Sequence, residues 1–148
     1  MRIYWPSLAA LLAGCTLAVA DDKPDDLKAL VGRWKPAAKE YEGKDVSASL
    51  GRSVAWTIQA DAIWPIKAGG PGKMTFRLDP TKAPKEIDLT FADGPSRDES
   101  FVGIYKVEKG KLTLCLARLS DKNRPREFKS RAGTGHTLMT FDAVKDKP

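Results

Sequence analysis

The feature that most constrains the fold is a hairpin pattern over residues 101–118. Two apolar-rich runs flank Lys109-Gly110, and this glycine suits the positive φ that a two-residue type I′ turn requires. The facing apolar positions are then Val107 with Leu112, Tyr105 with Leu114, and Gly103 with Leu116. A slip of one residue would place polar side chains opposite apolar ones, so the register is well specified. We expect an antiparallel hairpin with one buried face, which needs further strands to cover it.

Short alternating segments recur through the rest of the chain. They are centred on Val54, Trp56 and Ile58, on Met74, Phe76 and Leu78, on Ile87, Leu89 and Phe91, and on Thr137, Met139 and Phe141. A first strand over residues 32–41 contains Pro36, which indicates an edge position or a bulge. Another short strand is expected over residues 62–68. About eight strands, with a short helix before the first, predict an all-β antiparallel barrel or sandwich.

The N-terminal twenty residues differ from the rest. Arg2 is followed by an uncharged stretch from Ile3 to Ala20 that ends in the small residues Ala18-Val19-Ala20. This pattern predicts a secretory signal peptide over residues 1–20 and one domain over residues 21–148. The protein is then extracytoplasmic, periplasmic or secreted, with no transmembrane span after processing.

A second processing site overlaps the first. Leu12-Ala13-Gly14-Cys15 resembles a bacterial lipobox, which would make the protein a membrane-anchored lipoprotein through Cys15. The apolar run continues through Leu17-Ala18-Val19, which favours cleavage after Ala20. Cys115 is then the only cysteine left, so no intramolecular disulfide is possible, and we expect it to be buried and unreactive.

Basic residues are in excess, and they cluster. Without Arg2, 24 of the 25 lysines and arginines remain against 19 acidic residues. Residues 118–131 hold six of the basic ones, Arg118, Lys122, Arg124, Arg126, Lys129 and Arg131, against Asp121 and Glu127. Arginine suits sulfate, phosphate and carboxylate groups, so Arg124, Arg126 and Arg131 are candidate contacts for an anionic partner. The alternative is a solvated connection.

Acidic polysaccharides and lipid head groups are the anionic partners expected outside the cytoplasm, and nucleic acid is not expected. The residues offer little for catalysis. His136 is the only histidine, no nucleophile-elbow motif is present, and carboxylates such as Asp88 and Asp93 show no sign of a shared cleft. We therefore predict no catalytic residue, no metal, no cofactor and no enzymatic activity, with a hydrolase as the weakest hypothesis.

A short helix followed by Gly32-Arg33-Trp34 at the start of the first strand resembles the lipocalin superfamily. The chain is also similar, more closely, to a family of small exported lipocalin-like proteins called the Planctomycetes uncharacterised domain. That similarity rests on residues 26–34, 78–89, 103–105, 112–115, 124–128 and 133–136, and the chain departs from it at Lys35-Pro36. The resemblance implies an up-and-down barrel, with Gly32 and Trp34 structural and Trp34 closing one end. It implies no activity, ligand or catalytic residue.

Two function hypotheses follow. Trp56, Trp64 and Tyr105 are candidates to line a cavity for a small apolar or amphipathic ligand, although a barrel of this size is often filled by its own side chains. The alternative is an interaction module that docks anionic envelope polymers through the segment from Arg118 to Arg131.

Overall fold

A computed structural model describes residues 23–51, 54–65 and 72–145. Within them lie one α-helix and nine strands: α1 (Lys23–Leu30), β1 (Gly32–Tyr41), β2 (Lys44–Asp45), β3 (Trp56–Ile58), β4 (Ile63–Trp64), β5 (Met74–Asp79), β6 (Glu86–Phe91), β7 (Ser100–Glu108), β8 (Lys111–Arg118) and β9 (Thr137–Ala143). Short 3₁₀ helices cover Ser47–Leu50 and Leu119–Asp121. No helix of the described residues is long and apolar enough to cross a membrane.

Several predicted features fall on residues that the structure does not describe. The predicted signal peptide over residues 1–20, with Cys15, lies outside the described residues. So do residues 66–68, the end of the strand predicted over residues 62–68, of which β4 is the described part.

The strands form a closed antiparallel barrel. Neighbours in the chain are neighbours in the sheet from β3 to β9, and β1 pairs with both β3 and β9 to complete an eight-stranded ring. The short β2 pairs with β1 as a hairpin beside this ring. The predicted all-β antiparallel barrel of about eight strands, preceded by a short helix, is confirmed.

The β7–β8 hairpin has the predicted register. Val107 lies opposite Leu112, Tyr105 opposite Leu114 and Gly103 opposite Leu116. Lys109 and Gly110 both have positive φ, 50° and 74°, as a type I′ turn requires. Gly103 is also needed for packing, because a Cβ there would overlap the carbonyl oxygen of Cys115 and the side chain of Leu116.

The first strand is irregular where its proline lies. The pairing of β1 with β9 shifts register between Pro36 and Ala38, which is a bulge. Among the described residues, β3 pairs only with Gly32–Trp34 and β2 only with Glu40–Tyr41, so at Pro36 the strand is paired on one side, with β9. Pro36 therefore lies at a local edge and at a bulge, as predicted. The bulge accommodates a residue that cannot donate a ladder hydrogen bond.

The barrel interior is filled by side chains. The buried residues of this hydrophobic core are Leu30, Trp34, Ile58, Ile63, Met74, Ile87, Leu89, Tyr105, Leu112, Leu114, Leu116, Met139 and Phe141. Trp34 is 4 % exposed, and its indole Nε1 donates a 2.7 Å hydrogen bond to the Leu30 carbonyl, which fastens α1 to this end of the barrel. Gly32, the first residue of β1, has a φ of +144° that other residues rarely adopt.

Two local expectations are wrong. Val54 does not share the inward face of Trp56 and Ile58: it precedes β3 and is 52 % exposed. The β7–β8 hairpin does not have a single buried face either, because its outward side chains Val102, Ile104, Cys115 and Ala117 are also buried. Residues 119–136, which we call the β8–β9 connection, make contacts with this outer face.

Candidate functional site

Arg124 anchors the β8–β9 connection to the outside of the barrel. Its Nη1 donates to the carbonyl of Gly103 at 2.9 Å and to that of Ile87 at 3.3 Å. Its Nη2 lies 2.6 Å from the Asp88 carboxylate, and its Nε lies 3.5 Å from that of Glu86. The side chain is only 26 % exposed. Arg124 therefore holds the connection against β6 and β7.

Further contacts fasten the connection along its length. Pro125 is fully buried, and the Cys115 thiol donates to the carbonyl of Lys129 at 3.4 Å. Burial raises the pKa of Cys115 to about 11, and the hydrogen bond to Lys129 opposes this effect. Cys115 is thus buried, as expected, and its thiol is protonated near neutral pH.

The far end of the connection is tied to the β1–β2 turn. The hydroxyl of the buried Ser130 accepts a 3.0 Å hydrogen bond from the Gly43 backbone N–H. The Glu42 carboxylate accepts another from the Gly135 N–H at 3.0 Å. Anchors at both ends give the intervening side chains a defined position on the barrel wall.

A polar cleft of about 230 Å³, which we call the first cleft, lies along the connection. Its lining residues are Asn123, Arg124, Arg126, Glu127, Lys129, Arg131, Thr134 and His136. The Glu127 carboxylate lies 3.3 Å from Nη2 of Arg131 and 3.6 Å from Nζ of Lys129. One negative charge is therefore shared between two positive ones. Arg126 is exposed and makes no ion pair with any described residue. The first cleft is consequently cationic and accessible.

The three arginines proposed as anionic-partner contacts all line the first cleft, but they differ in availability. Arg124 is engaged with two carboxylates and two carbonyls, whereas Arg126 and Arg131 are exposed. Lys129 lines the same cleft and is not among the three predicted contacts. Its membership of the basic cluster over residues 118–131 is the sequence signal for it.

His136 also lies in the first cleft. Its Nε2 is 3.0 Å from the Asn123 carbonyl, and no serine is among the residues lining the cleft. Asp88 pairs with Arg124, while the Asp93 carboxylate accepts backbone hydrogen bonds from Gly72 at 2.7 Å and Lys73 at 2.9 Å. Both carboxylates thus have partners that account for their positions. Within the described residues, no three His, Cys, Asp or Glu side chains converge as a metal site.

The three candidate ligand aromatics do not form one cavity. Trp56 packs on Phe141 with ring centroids 4.7 Å apart, inside the barrel. Trp64 follows the inward-facing Ile63 and therefore faces outward, with Lys73 Nζ 5.7 Å from its ring centroid. Tyr105 is 2 % exposed within the core, and its hydroxyl has no hydrogen-bond partner among the described residues. Burial, and secondarily the charge of Asp26, raises the Tyr105 pKa.

A different cleft, of about 440 Å³, opens at the end of the barrel where β7 begins and β8 ends. The inward-facing Phe101 and Leu116 contribute apolar surface to it, and Tyr41, Lys39 and Arg118 are also among its lining residues. This end lies opposite the one that Trp34 and α1 close.

Comparison of the chain with protein-family models, with curated proteins and with solved structures finds no match.

Proposed function

We propose that this protein is an exported, non-enzymatic binding module with a lipocalin-like barrel that docks acidic polysaccharide through the first cleft. The observation that carries the proposal is the gathering of Arg126, Lys129 and Arg131 in one accessible cleft with a single carboxylate, Glu127. Guanidinium groups bind carboxylate and sulfate groups in a planar, two-pronged geometry. A cleft with this excess of positive charge suits a sugar chain that carries such groups.

The surface of the first cleft favours a polysaccharide over a lipid bilayer, because its described lining residues include no large apolar side chain. The most exposed large apolar side chains of the described residues are Val31, Tyr41, Val54 and Leu119, and none of them lines the first cleft. Peripheral membrane binding commonly combines basic side chains with an inserted apolar face, and this cleft lacks the second component.

Affinity chromatography on immobilised polygalacturonate tests the proposal. The double variant Arg126→Ser/Arg131→Ser should elute at clearly lower salt than the unmodified protein. The control Lys35→Ser/Lys109→Ser removes the same charge from residues that do not line the first cleft. It should be retained almost as well as the unmodified protein. The salt needed for elution reports a charge-dominated contact, because screening shortens from ~10 Å at 0.1 M to ~3 Å at 1 M ionic strength.

Two results would contradict the proposal. Equal retention of the double variant and the control would show that net charge, not the cleft, governs binding. Binding to phosphatidylglycerol vesicles without retention on polygalacturonate would show that the partner is an anionic lipid surface and not a polysaccharide. Thermal unfolding of both variants must first show that each is folded, which we expect because exposed charges contribute little to stability.

A second candidate, a small amphipathic ligand, is supported by the cleft of about 440 Å³ at the end of the barrel opposite Trp34. This volume lies within the range of small-molecule sites, and Phe101 and Leu116 supply apolar surface. Dodecanoate is a suitable probe, because its chain would contact these two side chains and its carboxylate would approach Arg118. Binding that Phe101→Ser weakens would support this candidate, and the absence of any dodecanoate binding would eliminate it.

A further inference from the structure

A second polar cleft adjoins the first. It measures about 570 Å³ and is lined by Lys82, Ala83, Pro84, Glu86, Ile104, Lys122, Asn123, Arg124, Pro125 and Arg126. Asn123, Arg124 and Arg126 line both clefts, so the two cavities meet along this short stretch of the connection. We call the stretch from Asn123 to Arg126 the ridge.

The second cleft brings two cations that the ridge and the first cleft do not contain. Lys82, in the β5–β6 loop, and Lys122 are exposed and make no ion pair with any described residue. Lys82 lies near enough to Asp79 to help lower the pKa of that carboxyl, behind the larger effect of the Thr81 hydrogen bond. Together the linings of the two clefts hold six basic side chains and two acidic ones.

The two arginines of the ridge differ in whether a carboxylate neutralises their charge. Arg124 is surrounded by Glu86 and Asp88, so its charge is largely compensated within the barrel wall. Arg126, two residues later, borders both clefts without a carboxylate partner. Cations without an ion-pair partner among the described residues therefore lie in the second cleft, at Lys82 and Lys122, and where the two clefts meet, at Arg126.

We propose that the partner is a linear polyanion that lies across the ridge and occupies both clefts, with Arg126 contacting it between them. This inference rests on the proposed function and specifies its substrate: a chain with an acidic group on successive sugars, not a single anionic sugar. One sugar acid would engage the first cleft alone, whereas a longer chain gains the contacts of Lys82 and Lys122. Arg124 is a positioning residue, because its contacts hold the ridge in place.

Oligogalacturonates of defined length, titrated by calorimetry, provide the test. For the unmodified protein, affinity should rise from the dimer to longer oligomers and level off once the chain spans both clefts. The variant Lys82→Ser/Lys122→Ser should bind the dimer as the unmodified protein does but bind a decamer roughly two- to thirtyfold more weakly, the effect of losing two exposed ionic contacts. Its affinity should also depend less steeply on salt, because fewer counterions are released from the polyanion.

The outcomes separate this inference from the proposed function. If Lys82→Ser/Lys122→Ser binds the decamer with unchanged affinity while Arg126→Ser/Arg131→Ser does not bind, the partner occupies the first cleft alone and the two-cleft inference fails. If Arg126→Ser/Arg131→Ser binds every oligomer normally, the proposed function fails as well. An equal loss for dimer and decamer in Lys82→Ser/Lys122→Ser would also overturn the inference, since it would indicate a nonspecific charge effect.

Discussion

The two faces of the β7–β8 hairpin are both buried, but different parts of the chain cover them. The inward side chains, such as Tyr105 and Leu114, pack against the other strands of the ring. The outward Cys115 contacts the β8–β9 connection instead, and the neighbouring Gly103 carbonyl accepts a hydrogen bond from Arg124. The inner face therefore defines the fold. The outer face supports the connection, which carries the candidate binding clefts.

We expect the largest loss of stability from a substitution inside the barrel, at the end that α1 closes. Trp34→Ala removes a 4 % exposed side chain and its hydrogen bond to Leu30, and should lower the free energy of unfolding by about 3–5 kcal/mol. Chemical denaturation measures this loss. A change below about 1 kcal/mol, typical of surface positions, would show that Trp34 does not close the barrel.

We expect an intermediate loss of stability from a substitution at Arg124, which anchors the β8–β9 connection. Arg124→Ser leaves two carbonyls and two carboxylates without their shared donor, and should cost about 2–3 kcal/mol. Arg126→Ser is the matched control: it is the same substitution two positions away, and should change stability by no more than about 0.5 kcal/mol. If the two variants lose equal stability, Arg124 does not anchor the connection more than Arg126 does.

We expect the smallest loss of stability from ionisation of the Cys115 thiol, and only in alkaline solution. The pKa of Cys115 is raised from 9.0 to about 11 by burial, so its contribution to stability is complete below pH ~9 and is lost as pH rises towards 11. Between these values the unmodified protein should lose about 1–2 kcal/mol more than Cys115→Ala does. Parallel pH profiles for the two proteins would mean that the connection does not keep this thiol buried.

Much of the inner side could be predicted from the sequence, because it depends on local patterns. Alternating side chains locate β5 and β6, and the Lys109-Gly110 turn determines the β7–β8 register. Pro36 indicates the bulge in β1. Each of these features acts on its own strand or its immediate neighbour, so no long-range information is needed.

The outer side was missed, although one signal for it was present. Val102 to Tyr105 and Leu114 to Ala117 contain no charged side chain, and such continuous, mostly apolar runs are consistent with strands buried on both faces. What covers the second face could not be predicted, because it depends on contacts such as Arg124 with Asp88, 36 residues apart. For the same reason the sequence could not distinguish Arg124 from Arg126, or place Lys82 beside them.

We propose that the β8–β9 connection binds an acidic polysaccharide while the barrel interior remains closed to it. Nuclear magnetic resonance titration of the labelled protein with oligogalacturonate distinguishes the two places. We expect saturable shifts of the backbone amides of Arg126, Lys129 and Arg131, with the indole N–H signals of Trp34 and Trp56 unchanged. Shifts of the indole signals without shifts in the connection would contradict the proposal.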